Sequence, residues 1–400
     1  MGGIAEAIGA SNSGMPTARV VDAPAVRPLP AGHAASGPAP RLIGLASALP
    51  AHAVPQSRCR EFAGALFGPA FAAEGNRLLA VFDSVGIEQR HLAMPLEWFS
   101  SPHDLGETND IYIERALELS AEAARTALER AGLSPADVDH IVFVSSTGIA
   151  TPSLDARLAN RLPLRGDVRR SPLWGLGCAG GAAGLARARD YALADPSACV
   201  LLVAVELCSL TFQHGDLTRQ NLVAASLFSD GAAAAVVLGA HSPHRERSPG
   251  GDAAALDLVA SRSRLWPETL DVMGWNVDRN GLHVVFSRDI PTIVREWVRP
   301  ELERFLADHG LTLDSLDHVV AHPGGPKVLA AYAESLGLTP EAFRHAYSVL
   351  RDCGNMSSPT CLFVLERALA AGDIRAGESA VLAALGPGFS SELVLMRGAS

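Results

Sequence analysis

From about residue 41 onward the chain alternates between short apolar runs and longer stretches with helical spacing of their apolar positions. Arg41-Leu-Ile-Gly-Leu-Ala-Ser-Ala-Leu-Pro50 is almost wholly apolar and closes on proline, which predicts a first strand. Residues 57–120 predict helices and loops, interrupted at Gly86-Ile-Glu-Gln-Arg-His91. Residues 110–132 carry a strong amphipathic helix pattern that stops at Gly132. Ile141-Val-Phe-Val-Ser-Ser146 follows as a strand, and Ala198–Val205 and Ser379–Leu385 predict two more. Residues 1–40 have no period and are rich in Ala, Gly, Pro and Ser, the composition of a disordered leader.

The pattern repeats. Gly132-Leu-Ser-Pro-Ala-Asp-Val-Asp-His-Ile-Val-Phe-Val-Ser resembles Gly310-Leu-Thr-Leu-Asp-Ser-Leu-Asp-His-Val-Val-Ala-His-Pro, an offset of 178 (310 minus 132). Gly177-Cys178 corresponds to Gly354-Asn355 at an offset of 177 (355 minus 178). Each of these pairs is expected to begin a helix, and each helix to lead into one of the later strands. Two independent segment pairs at nearly one offset predict two similar α/β halves, 41–240 and 255–400, joined by the polar stretch His241–Asp252. Related halves pack about a pseudo-two-fold axis, which would bring Cys178 and Asn355 together. His322, at the end of the repeat strand and equivalent to Val144, would meet them there.

Composition narrows the class. A hydrophobic share of 48% allows a large core, and a formal charge of −10 argues against a nucleic-acid partner. No apolar run reaches membrane-spanning length; the richest, Cys199–Leu210, carries Glu206. Six cysteines without metal-ligand spacing, and no evident signal peptide, lead to the expectation of a reducing, cytoplasmic setting with no membrane association.

The candidate chemistry centres on Trp174-Gly-Leu-Gly-Cys178-Ala-Gly-Gly. A cysteine at a helix start feels the positive end of the helix dipole, which favours thiolate. A thiolate suits attack on a thioester or amide carbonyl. His322 could hold it as an ion pair and donate to a developing oxyanion, and Asn355 could add an uncharged donor. Papain-like proteases share the order Cys, His, Asn, but their Cys-Gly-Ser-Cys-Trp type of signature is absent and a duplicated α/β body does not suit that fold.

Five motifs then carry a family resemblance over about residues 41–400. They are Gly-Leu-Gly-Cys178-Ala-Gly-Gly, Leu227-Phe228-Ser-Asp-Gly-Ala-Ala, His322-Pro-Gly-Gly-Pro, Gly354-Asn355-Met-Ser-Ser-Pro-Thr and Gly386-Pro387-Gly388-Phe389-Ser390. With them the chain resembles a type III polyketide synthase, of the chalcone-synthase-like branch of the thiolase superfamily. The resemblance implies a thiolase-like α/β fold, with its two halves in a layered α-β-α-β-α arrangement, and a homodimer. It implies that Cys178 accepts an acyl starter and that malonyl-CoA is decarboxylated. His322 and Asn355 would stabilise the enolate, and the extended chain would return to Cys178 before cyclising. No bound cofactor or metal is needed; acyl-CoA and malonyl-CoA are substrates.

Phe228 matches the first gatekeeper phenylalanine of that family, whereas Val284 replaces the second aromatic. The smaller side chain leaves room for a long acyl starter. Segments 145–153 and 206–212 likewise resemble bacterial long-chain alkylresorcinol and alkylpyrone synthases. That likeness implies a cavity lined by Thr147, Thr151, Cys208 and Thr211, with Gly274 and Gly386–Phe389 completing it. Trp275 is expected to influence chain folding. The basic residues that hold CoA phosphates in plant enzymes have no counterpart in Leu79–Ile87, so Lys327 is the candidate phosphate contact, and a starter delivered on an acyl carrier protein stays open. Two other classes share features with this reading: a β-ketoacyl carrier-protein synthase of the initiation type, and a non-catalytic thiolase-fold scaffold.

Overall fold

The computed structural model describes residues 38–71, 76–245 and 255–400. The expected leader lies outside the described residues up to residue 37, and the expected linker does so from residue 246. The strands are β1 (Arg41–Ala48), β2 (His52–Pro55), β3 (Gln89–Leu92), β4 (His140–Val144), β5 (Arg169–Leu173), β6 (Cys199–Leu207) and β7 (Asp230–Leu238). They continue as β8 (Leu256–Leu265), β9 (Met273–Asp278), β10 (Gly281–Phe286), β11 (His318–Ala321), β12 (Ser379–Gly386) and β13 (Ser390–Gly398). The α-helices are α1 (Gln56–Phe67), α2 (Asn76–Ser84), α3 (Leu105–Arg130), α4 (Leu154–Arg161) and α5 (Gly180–Ala194). After them come α6 (Arg219–Leu227), α7 (Ile290–Ala307), α8 (Pro326–Leu336), α9 (Arg344–Cys353) and α10 (Thr360–Ala370).

The repeat seen in the sequence is a symmetry of the sheet. Nine strands run in the order β11-β12-β13-β8-β1-β7-β6-β4-β5. Outward from the β1–β8 seam, β1-β7-β6-β4 matches β8-β13-β12-β11. In both series the first two pairings are antiparallel and the last is parallel. The seam itself is short: Arg41 pairs with Asp257 and Leu42 with Leu256, reinforced by Arg41 Nε donating to Asp257 Oδ1 at 2.8 Å. Even the turns before β4 and β11 agree, each closed by a reciprocal capping box, Ser134 with Asp137 and Thr312 with Ser315.

Every position of β6 and β7 is buried, because both sheet faces are covered. Side chains alternate along β6. Leu201, Val203 and Val205 join the core under α3, while Val200, Leu202 and Ala204 face the core shared with α5 and α10. Those two helices touch strands of both halves and form the central layer. Glycine makes the close approach possible: a Cβ on Gly181 would stand 2.2 Å from the Ser358 carbonyl oxygen, and one on Gly184 2.6 Å from Leu202 Cδ1. α3 covers the outer face of the first half, starting on an Asp104 cap and ending ahead of Gly132, whose φ is +66°.

One local expectation differs. Cys178 lies in a single 3-10 turn, Gly177–Ala179, that runs directly into α5. Asn355 does not begin a helix; α10 starts five positions later, at Thr360, just past Pro359. The two pairs are equivalent in place but not in secondary structure.

Candidate active site

Three elements bring Cys178, His322 and Asn355 to one chamber of about 340 Å³, lined also by Met273, Phe286, Ile290, Gly324, Val328, Tyr332 and Leu385. The Cys178 turn is held from both sides. Ser146 Oγ accepts from the Gly175 and Gly177 N–H groups at 3.2 and 3.3 Å. Gly177, at φ +46°, leaves the space into which Pro387 packs, since a Cβ there would meet Pro387 Cδ at 2.8 Å. Gly386 is equally constrained, its absent Cβ facing Ala179 and the Leu176 carbonyl. His322 follows β11, and its N–H donates to the Ala383 carbonyl of β12 at 2.8 Å. Asn355 is fixed by a β-bridge to Phe228: its N–H donates to Leu227 O at 3.0 Å, and Ser229 N–H donates to its carbonyl at 2.8 Å. The Asn355 side-chain oxygen accepts from Ser357 N–H at 2.8 Å, which turns its Nδ2 toward the chamber wall at Gly324 O, 3.4 Å away.

All three groups are nearly inaccessible, at 6%, 4% and 1% exposure. Burial pushes the Cys178 thiol up to about 11, with the Glu206 charge adding to it and hydrogen bonds from Ser357 and Asn355 pulling back. Burial alone takes the His322 imidazole down to about 3, and neither of its ring nitrogens has a hydrogen-bond partner among the described residues. Burial in this chamber therefore favours a neutral thiol beside a neutral imidazole, against the thiolate–imidazolium pair expected from the sequence. A neutral imidazole keeps one N–H to donate and one lone pair to take a proton.

A second, larger cavity of about 640 Å³ lies on the other side of the Phe228 bridge. Its walls come from α1, α2, the segment before α3, α6 and β10, and include Phe62, Phe67, Phe82, Phe99 and Phe212. Of the residues singled out in the sequence, Cys208, Thr211, Phe228 and Val284 line it. Trp275 stands beside it, its ring centroid 6.4 Å from that of Phe228. The remaining candidates are elsewhere. Thr147 is buried in hydrogen bonds to Glu206 and to the Leu207 N–H, and lines neither cavity. Thr151 is exposed, in the loop ahead of α4. Gly274 sits in the β9–β10 ribbon opposite Val285. Gly388 lies in the turn into β13, and Phe389 is buried against Trp266. Lys327 is exposed at the start of α8.

Two residues escaped the sequence reading. Glu206, the one charge in β6, is fully buried below Cys178 and accepts from Ser146 N–H at 2.9 Å, Thr147 Oγ1 at 2.8 Å and Ser358 Oγ at 3.0 Å. It thus ties the strand-β4 loop of one half to the Asn355 loop of the other, and burial raises it to about 7. A lone glutamate in an apolar strand was the signal, since such a charge is kept only with partners. Arg90, on β3, is 6% exposed and lines the larger cavity. No pattern in the sequence marks it.

Comparison with known proteins agrees with this architecture. The profile of chalcone and stilbene synthases matches over nearly the whole described chain, its N-terminal domain at residues 31–242 and its C-terminal domain at residues 257–400. A 1,3,6,8-tetrahydroxynaphthalene synthase of Streptomyces peucetius subsp. caesius is 42% identical over 352 residues, 88% of this chain and 91% of that protein. The α-pyrone synthesis polyketide synthase-like Pks18 of Mycobacterium tuberculosis (strain CDC 1551 / Oshkosh) is 30% identical over 359 residues, 88% and 89% of the two chains. Among solved structures, 1,3,6,8-tetrahydroxynaphthalene synthase of Streptomyces coelicolor A3(2), a bacterial type III polyketide synthase, superposes with a TM-score of 0.83 at 30% identity, covering 90% of this chain and 99% of that one.

Proposed function

Because this chain belongs to the chalcone and stilbene synthases, the type III polyketide synthases, it is an acyl-transferring, decarboxylating condensing enzyme of CoA thioesters, and we propose that its starter is a long-chain acyl group and its products alkylpyrones or alkylresorcinols. One observation carries the long-chain part: the aromatic-lined cavity of about 640 Å³ next to the Cys178 chamber, with Val284 rather than an aromatic in its wall. The naming of the mycobacterial relative for α-pyrone synthesis supports the pyrone part of the proposal.

In this proposal His322 takes the Cys178 proton as the thiol attacks the starter thioester, and CoA leaves as its thiol. Malonyl-CoA then loses CO₂, and the thioester enolate is held by the N–H of His322 and by Asn355 Nδ2. The carbanion attacks the Cys178 acyl carbon, expelling the cysteine sulfur. The lengthened chain transfers back to Cys178 for the next round. Lys327, the only lysine of the chain, contacts a CoA phosphate, and the enzyme acts as a homodimer of two-half subunits with boundaries at 41–240 and 255–400.

The test is product analysis by mass spectrometry, with malonyl-CoA and a starter series from acetyl- to hexadecanoyl-CoA. Pyrones or resorcinols bearing long alkyl tails are expected. Tetrahydroxynaphthalene as the product, and no product from any long acyl-CoA, would overturn the long-chain reading and match the relatives named for tetrahydroxynaphthalene synthesis. A single condensation on malonyl carrier protein would point to the initiation-type synthase. The same series with acyl carrier protein as donor decides the delivery question.

A further inference from the structure

The larger cavity is mostly apolar, and one of the few polar side chains in its wall, Arg90, is not used by the reaction scheme. Arg90 carries a full charge at 6% exposure in the wall of that cavity. Its Nη1 donates to the Phe228 carbonyl at 3.0 Å, while its Nε–H has no hydrogen-bond partner among the described residues. Among the described residues no carboxylate forms an ion pair with it: Asp230 of β7, which feels the Arg90 charge, spends its oxygens on Ala93 N–H at 2.6 Å, Ser209 N–H at 2.7 Å and the Ser209 hydroxyl. The other hydrogen-bonding side chains of this wall are also committed. Ser209 O–H is given to Asp230, Thr211 O–H to the Cys208 carbonyl at 2.8 Å, and both Asn221 amide protons to the carbonyls of Gln213 and Asp216 at 2.8 and 2.7 Å. Arg90 is thus the strong donor of the wall with an uncommitted N–H.

Its position says which part of a ligand it meets. Arg90 Cγ lies against Gly354, 3.2 Å from where a Cβ would be, and its Nη1 holds the Phe228 carbonyl. It therefore stands at the end of the cavity next to Asn355, and the phenylalanines of α1 and α2 form the far end. An alkyl tail suits the far end. An oxygen two carbons from a thioester suits the near end, where a buried guanidinium gains from any acceptor that approaches.

We propose that this cavity is a binding site for 3-oxoacyl chains, with the Arg90 guanidinium donating to the ketone oxygen, so that an acyl chain is held more tightly after an extension round than before it. The inference rests on reading the cavity as the acyl site. It makes Arg90 a specificity residue for retaining oxygenated intermediates against release.

Calorimetric titration of the full-length Cys178→Ala protein with dodecanoyl-CoA and 3-oxododecanoyl-CoA tests it, because neither ligand can acylate the protein. The 3-oxo ligand is expected to bind about tenfold more tightly. In the Cys178→Ala, Arg90→Met protein the gap closes, with dodecanoyl-CoA affinity nearly unchanged. Equal affinities in the protein that retains Arg90 overturn the proposal, whether or not the Arg90 variant folds. A gap that persists in the Arg90 variant overturns it too. Failure of both ligands to bind overturns the acyl-site reading itself, and is a different result from equal binding.

Discussion

Cys178 and Asn355 occupy equivalent places in two matching halves, yet each is built for a different task. The Cys178 turn runs without a break into α5, so the helix start offsets part of the burial that keeps the resting thiol neutral and favours the negative charge that develops on sulfur during attack. Asn355 stands clear of α10, pinned by backbone bonds to Leu227 and Ser229 and by its own side-chain bond to Ser357. That arrangement does little for a charge but fixes the direction of a donor. A repeated scaffold delivers two groups to one chamber, and the few residues after each group decide its chemistry.

The sharpest way to break this division is to remove each member separately. Cys178→Ala is expected to abolish acyl-enzyme formation outright, read by intact-protein mass after acyl-CoA treatment. Asn355→Ala should still load, while its condensation rate falls by about 10²–10³-fold. Equal loss of loading in both variants would mean that the two positions do not divide the work.

Packing between the halves gives the next largest effect. Gly181→Ala pushes a methyl into the Ser358 carbonyl and is expected to cost about 3 kcal/mol in denaturant unfolding. Gly166→Ala, where nothing lies within 4 Å, should be near neutral.

Glu206 joins the two loops, and its contribution depends on pH. Its folded value is raised from 4.5 to about 7, so between those limits the folded protein holds a proton that the unfolded chain releases. Relative to Glu206→Gln, the unmodified protein should then lose stability as pH rises from about 4.5 to 7, by on the order of 2–3 kcal/mol, and run parallel above that. A difference independent of pH would show that Glu206 is ionised throughout.

The smallest effect concerns the thiol itself. With Cys178 held near 11, its alkylation by iodoacetamide should rise roughly tenfold per pH unit through the neutral range. A rate already on a plateau at pH 6 would mean that His322 stabilises a thiolate in the resting protein.

Much of this site was legible because duplication leaves a record in the chain. The matched segments at 132 and 310 located β4 and β11, and with them His322; the Gly-Cys and Gly-Asn pairs located the other two groups. Periodicity reports which face of an element is buried, but not what packs across from it. So nothing in the sequence separated the residues of the Cys178 chamber from those of the larger cavity, whose walls join α1 and α2 to α6 and β10. Thr151 followed a motif into solvent for the same reason. The later start of α10 was readable in principle, since Pro359 favours the first turn of a helix over its interior. Arg90 was beyond reach: its meaning comes from the Phe228 carbonyl, 138 positions away.

The strand order also has a consequence for synthesis. Each half opens with a strand whose partner is made last: Arg41 of β1 pairs with Leu238 of β7, and Leu256 of β8 with Gly398 of β13. At ribosomal speed, β1 waits roughly 10–40 s for β7 to be polymerised. Throughout that interval Leu42, Ile43 and Leu45 have no finished sheet to enter. The nascent chain is thus most exposed to aggregation just before each half closes, and slowing translation ahead of Asp230 would lengthen that exposure.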